Sequence, residues 1–111
     1  TDDMFERPVD LALKAKLFRG FADPTRLHIM ESLRGGEMTV GSIAEATGQS
    51  LPNVSNHLSC LKECGLVVAR REGKRIFYSV ANDRVLCLLN DADLVLGEAK
   101  EHLNNCRRYD R

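Results

Sequence analysis

No stretch of this sequence approaches the roughly 18 consecutive apolar residues that a membrane-spanning helix needs, so no membrane partner is expected. The opening, Thr1-Asp2-Asp3-Met4, is acidic, whereas an export signal begins with positive charge. The expectation is a cytoplasmic setting in which thiols stay reduced. Proline is scarce, at 3 in 111 residues, and no low-complexity tract is present, which excludes a disordered chain. Neither an internal repeat nor an inter-domain linker appears, so one domain over residues 1–111 is expected, long enough for one hydrophobic core. Net charge is missing too: 16 Lys and Arg balance 16 Asp and Glu, which argues against a general nucleic-acid coat protein. A Cys-x-x-Cys pair at a helix start is lacking, as is a base beside a nucleophile. An enzyme of the thiol oxidoreductase type is therefore not expected.

What is present is unevenly placed. Residues 62–84 hold six basic side chains (Lys62, Arg70, Arg71, Lys74, Arg75 and Arg84) against three acidic ones, while residues 1–24 are mildly acidic. Apolar spacing and capping residues predict five helices. The first runs from about Pro8 to Phe21, with Leu11, Ala15, Phe18 and Ala22 on one side. The second is capped by Asp23 with Pro24 in its first turn, carries Leu27, Met30 and Leu33 inward, and stops at Gly35-Gly36. Thr39 caps a third helix over about 40–47, with Val40, Ile43 and Ala44 inward and Gly48 as terminator. Ser50 caps a fourth over about 51–64, with Val54, Leu58 and Leu61 inward. Two β-rich segments follow, Leu66 to Arg71 and Arg75 to Val80, joined by the turn Glu72-Gly73-Lys74. The last helix, about 82–104, has Leu and Val on more than one face, which suits packing on its own core and on a second subunit.

A helix-turn-helix at about 39–64 followed by a basic hairpin at about 66–80 is winged-helix order, in an α+β, mostly helical fold. The fourth helix and its approach carry Gln49, Ser50, Asn53, Ser55, Asn56 and Ser59. Short hydrogen-bonding side chains of this kind reach base edges in the major groove. Arg70, Arg71, Lys74 and Arg75 lie on or beside the hairpin tip, where they can neutralise phosphates. Any one of these residues is equally well a solvated surface group. Together, in this order, they point to binding of double-stranded DNA.

Asp23-Pro24-Thr25-Arg26, the run Asn53-Val54-Ser55-Asn56-His57-Leu58, Gly65-Leu66-Val67 and Arg71-Glu72-Gly73-Lys74 resemble the ArsR/SmtB metalloregulatory repressors, over about residues 8–104. The resemblance implies a homodimer joined through the first helix and the long last helix, about 8–21 and 82–104. It would be bound to an operator dyad and released when an effector binds. The family is diverse in effector, so the scaffold does not fix the chemistry.

The cysteines are the candidates for that chemistry: Cys60, Cys64, Cys87 and Cys106. Cys60 and Cys64 are four apart on the fourth helix, with β-carbons roughly 5–6 Å apart on one face, so two thiolates there can share a soft metal ion. Asn53 and His57 lie on the same stripe. The segment Ser59 to Leu66 is similar to the CmtR-type cadmium/lead sensors of the family, which place two cysteines here and take a third ligand from the C-terminal region. That resemblance makes Cys106 the third ligand and a soft divalent ion, cadmium or lead with zinc possible, the effector. Other sites of the family fit less well. Met38 to Ser42 occupies the stretch where arsenic sensors carry cysteines, and Asp91, Asp93 and His102 match the zinc site of the last helix only in part. Thiol-based redox or sulfide sensing is the alternative, although the second helix lacks the cysteine such members use. Cys87, among Val85, Leu86, Leu88 and Leu89, is expected to be an inert core or interface residue.

Overall fold

The computed structural model describes residues 10–108. Helix α1, Leu11–Ala22, begins where the Asp10 carboxylate accepts the Leu13 N–H at 3.1 Å. The sequence places its start at Pro8, which lies outside the described residues. Helix α2, Pro24–Ser32, is capped as expected: Asp23 accepts the Arg26 N–H at 2.9 Å, and proline takes the first turn, where a missing N–H leaves nothing unsatisfied. A 3-10 turn, Leu33–Gly35, leads into a two-residue strand β1, Met38–Thr39. Thr39 then caps α3, Val40–Thr47, by accepting the Ser42 N–H.

Gly48, at φ 71°, adopts the left-handed conformation that lets the chain turn out of α3 into the next helix without a Cβ clash. Helix α4, Leu51–Glu63, is capped by the Ser50 hydroxyl, which accepts the Asn53 N–H at 3.3 Å. Strands β2, Val67–Glu72, and β3, Arg75–Val80, form the hairpin, and Asn82 caps the 23-residue helix α5, Asp83–Asn105.

The sheet is antiparallel in the order β1-β3-β2, and β1 is the element that the sequence did not reveal. Two residues cannot show a period-2 pattern, and Met38 and Thr39 become a strand only by pairing with Tyr78 and Phe77. The turn is also one residue shorter than expected. Glu72 pairs with Arg75, leaving Gly73-Lys74 as a two-residue connection with Gly73 at φ 63°. A glycine of positive φ in the first position, followed by a residue of negative φ, is the pattern of a type II′ hairpin turn.

The core lies where α2, α3, α4 and the base of the hairpin meet. Val54, Leu58 and Leu61 of α4 are buried as their spacing requires, with Ile43, Met30, Leu33, Leu66, Val67 and Leu89 around them. Ile29 is fully buried although the expected stripe of α2 omitted it, while Leu27 is 38 % exposed. Helix α2 packs against α1, α3 and α4 at once, so its buried face is wider than one stripe. Outside this core the picture reverses. Not one residue of α1 is buried, and Leu89 alone is buried on α5. Leu11 is 73 % exposed and Leu94 69 %. Phe18, Phe21, Leu27, Leu88, Val95 and Leu96 line an open groove of about 490 Å³ between α1, α2 and α5. Burying such a surface is worth about 25 cal/mol per Å². It is unfinished within one chain.

Candidate functional site

The six polar residues expected to read DNA divide by what they already do. Ser50 is engaged as the α4 cap. Asn53 donates its amide N–H to the Gln49 side-chain carbonyl at 2.6 Å, so these two half-buried groups hold each other at the turn between α3 and α4. Ser55, Asn56 and Ser59 are exposed, on the side of α4 opposite Val54, Leu58 and Leu61. Their side chains are the ones left free to meet base edges. His57 is half-buried. The Asp23 carboxyl is held below its ordinary range first by the Arg26 N–H bonded to it, with the Arg26 guanidinium adding to that.

On the hairpin, strand alternation separates two neighbouring arginines. Val67, Ala69 and Arg71 share the core-side face, while Val68, Arg70 and Glu72 face outward. Arg71 donates Nε–H to the Gly73 carbonyl at 3.2 Å and remains exposed, as Lys74 and Arg75 do. Arg70 is engaged on three sides. Its Nε donates to Glu37 at 2.8 Å, its Nη1 donates to Glu72 at 2.6 Å, and its guanidinium lies 4.7 Å from the centre of the Phe77 ring. The arginine holds the Glu37 carboxyl below its usual range, and the two carboxylates raise the Arg70 guanidinium further.

Cys60 and Cys64 are free, exposed and one helical turn apart, with the Cys64 N–H donating to the Cys60 carbonyl at 3.0 Å. Cys64 is the C-terminal cap residue of α4 and borders a shallow groove beside Leu13, Lys16 and Leu17 of α1. Cys106 is half-buried just past α5. Among the described residues no three His, Cys, Asp or Glu side chains gather closely enough to hold a metal ion, so one chain brings Cys60 and Cys64 together without Cys106. Cys87 is exposed. Of the two placements expected for it, core or interface, the fold of one chain removes the core: α5 touches the chain's own body too sparsely to cover it.

Two arginines do work that the sequence did not disclose. Arg26 donates to the carbonyls of Gly20 at 3.0 Å and Arg19 at 3.1 Å, closing the end of α1 while Asp23 opens α2. The Asp-Pro-Thr-Arg run is thus a corner built from both sides. Arg34 pairs with Glu31 and with Asp93 of α5, each at 2.8 Å, and donates to Asn90. Asp93, a member of the partial zinc set, is therefore occupied by a guanidinium. Nothing local signals this pairing, because Arg34 and Asp93 are 59 residues apart.

The sequence profile described as "Bacterial regulatory protein, arsR family" matches residues 23–68, from the α2 cap into β2. The chain is 44 % identical over 94 residues to the probable mercury resistance operon repressor of Streptomyces lividans, spanning 85 % of this chain and 75 % of that protein. It belongs to the ArsR family. This is a family of DNA-binding transcriptional regulators and not of enzymes.

Solved structures agree with that membership. The homodimeric winged helix-turn-helix DNA-binding domain of a possible ArsR-family regulator from Mycobacterium bovis superposes with a TM-score of 0.74 at 36 % identity, covering 98 % of this chain and 95 % of that one. The cadmium metal-sensor CmtR of Mycobacterium tuberculosis superposes with a TM-score of 0.62 at 44 % identity, covering 69 % of this chain and 80 % of that one. The expected winged helix-turn-helix with a long C-terminal helix is the fold observed. As an ArsR-family protein the chain has its cysteines in two zones: Cys60 and Cys64 inside the profile match, Cys87 and Cys106 beyond it. No helix among the described residues is long and apolar enough to cross a membrane.

Proposed function

We propose that residues 1–111 form one winged-helix unit, working in the cytoplasm as a homodimer joined through α1 and α5. It binds operator double-stranded DNA when metal-free and is released by a soft divalent metal, cadmium or lead with zinc possible, held by thiolates. The observation that carries this reading is one of placement. Cys60 and Cys64 present two thiols one turn apart on the exposed side of α4, the helix that also exposes Ser55, Asn56 and Ser59. Whatever binds the thiols acts directly on the element that would enter the major groove.

The donor set fits a soft ion: two thiols at i and i+4 supply two of three thiolates with no backbone rearrangement. Cys106 is the proposed third ligand, and since one chain does not bring it to the pair, it would come from the partner copy. The open apolar groove on α1 and α5 supports the dimer, as does the homodimeric M. bovis relative. The mercury operon repressor and the cadmium sensor among the relatives support a soft metal as effector. When bound, the metal supplies a cross-link and removes protons from thiols. The chain supplies the consequence. Tying the end of α4 to the tail past α5 would fix the tilt of the reading helix, and three thiolates around one divalent ion would leave a single net negative charge beside a helix that faces phosphate. A coupling of about 1–3 kcal/mol lowers operator affinity 5- to 150-fold.

Cadmium titrated against the DNA complex is expected to release it, with thiolate-to-metal charge-transfer absorption rising in step. A Cys60→Ser, Cys64→Ser double variant is expected to keep DNA affinity and lose the response. Because the thiols must lose protons, metal affinity should fall as pH is lowered. An undiminished cadmium response in the double variant would overturn the assignment. Mass spectrometry showing a disulfide or polysulfide link in the released protein would replace metal sensing by thiol-based redox or sulfide sensing.

A further inference from the structure

Of the four basic residues at the hairpin, Arg70 stands apart, and its surroundings give it a different task. We infer that Arg70 is a positioning residue: it braces the wing against the turn before β1 through Glu37 and does not neutralise a DNA phosphate. The inference rests on the reading of the hairpin as a DNA-contacting wing, and it redistributes the work within it.

Cross-strand register sets up the arrangement. Thr39, Phe77 and Arg70 lie in one row across β1, β3 and β2, on the outer face of the sheet. Glu37 precedes Thr39 by two residues, and Glu72 follows Arg70 by two on the same face. The guanidinium lies over Phe77 and reaches across it to Glu37, so that all three of its nitrogens already donate to carboxylates. This two-pronged fit to Glu37 is one that a planar guanidinium can make and a lysine ammonium cannot. The contact ties β2 to the segment leading into β1, and so ties the wing to the start of α3.

Charge decides against a phosphate contact. Glu37, Arg70 and Glu72 together carry one net negative charge, and the carboxylates lie within 2.8 Å of the guanidinium. A phosphate approaching Arg70 would also meet the repulsion of two carboxylates bonded to it. Arg71, Lys74 and Arg75 make no ion pair with a carboxylate among the described residues and remain exposed at the tip. They are the cations able to release counterions from DNA.

The slope of log affinity against log salt for a fluorescein-labelled, mixed-sequence DNA duplex tests this, because that slope counts phosphates neutralised. For a dimer with two wings, Arg71→Gln, Lys74→Gln and Arg75→Gln are each expected to flatten it by about 1.8. Arg70→Gln is expected to lower affinity about three- to fivefold at fixed salt, the scale of a lost surface ion-pair network, and to leave the slope unchanged. A Glu37→Gln, Glu72→Gln double variant removes both carboxylates from Arg70, frees a cation at the wing and is expected to steepen the slope, an effect that a merely structural loss does not produce. Arg70→Lys is expected to behave as Arg70→Gln does, since a point charge cannot reproduce the brace. Circular dichroism of each variant confirms that it is folded. A slope that flattens in Arg70→Gln as in the other three, or full affinity in Arg70→Lys, would overturn the inference. If none of the four substitutions moves the slope, the wing does not contact phosphate and the DNA-contact reading itself fails.

Discussion

Asp23 accepts the Arg26 N–H in the first turn of α2, and Arg26 covers two of the last four carbonyls of α1, those of Arg19 and Gly20. These two side chains hold a corner at which both helices would otherwise end in unsatisfied backbone groups. Asp23→Ala is expected to lower unfolding free energy by about 1 kcal/mol, read from urea denaturation. The carboxyl of Asp23 titrates below its ordinary value of 3.8 in the folded chain. Its contribution is therefore complete above that value and fades as pH falls through the lower, folded one. The difference between wild type and Asp23→Ala should be constant near neutrality and shrink only in strong acid. A difference that shrank between pH 7 and 5 would assign the effect to some other group. The cap was legible in the sequence because it is local: a carboxylate three residues before an N–H, followed by proline. The Arg26 contacts were not, because they depend on how α2 crosses α1.

Helix α4 shows how one element carries structure and recognition on opposite sides. Leu58 is fully buried, whereas Asn56 is exposed. Leu58→Ala is expected to cost about 2–5 kcal/mol of stability, through lost burial and the cavity left behind. Asn56→Ala is expected to leave the melting temperature within about 2–4 °C of wild type, as surface changes usually do. It should weaken operator binding by about 1–3 kcal/mol if the amide reads a base. Thermal melts and DNA titrations on the two variants separate the faces, and a destabilised Asn56→Ala would mean that the assignment of faces is wrong. The inward residues of α4 were readable from 3.6-residue spacing, and the hairpin from β-rich segments around a glycine. The short strand β1 was not, since it exists only as the partner of β3.

At the scale of the whole molecule the notable surface is the one that the chain leaves open. Apolar side chains of α1 and α5 surround a groove that its own core does not fill. Val95, 63 % exposed on α5, borders that groove without supporting the fold of one chain. Val95→Asp is expected to convert a dimer into a folded monomer, seen as a halved mass in sedimentation equilibrium with the helical circular dichroism retained. DNA affinity should fall with it, because two half-sites are then bound independently. A Val95→Asp protein that stays dimeric would move the subunit interface elsewhere. Cys87, exposed on the same helix, was read from sequence as a residue of the core or the interface. The fold removes the first of these options.

Local order was written in the sequence. Helix caps at Asp23, Thr39 and Ser50, glycine stops, and the buried stripe of α4 follow from short-range hydrogen bonding and side-chain periodicity, which act within a few residues. So did the pairing of Cys60 and Cys64 on one helical turn. Long-range partners were decided only by the tertiary structure. Arg70 meets Glu37 across 33 residues, and Arg34 meets Asp93 across 59. Charges so far apart in the chain carry no spacing signal, and only the folded backbone determines which of them meet. That is why an apparent patch of four wing cations resolves into one paired with carboxylates and three that, among the described residues, are not.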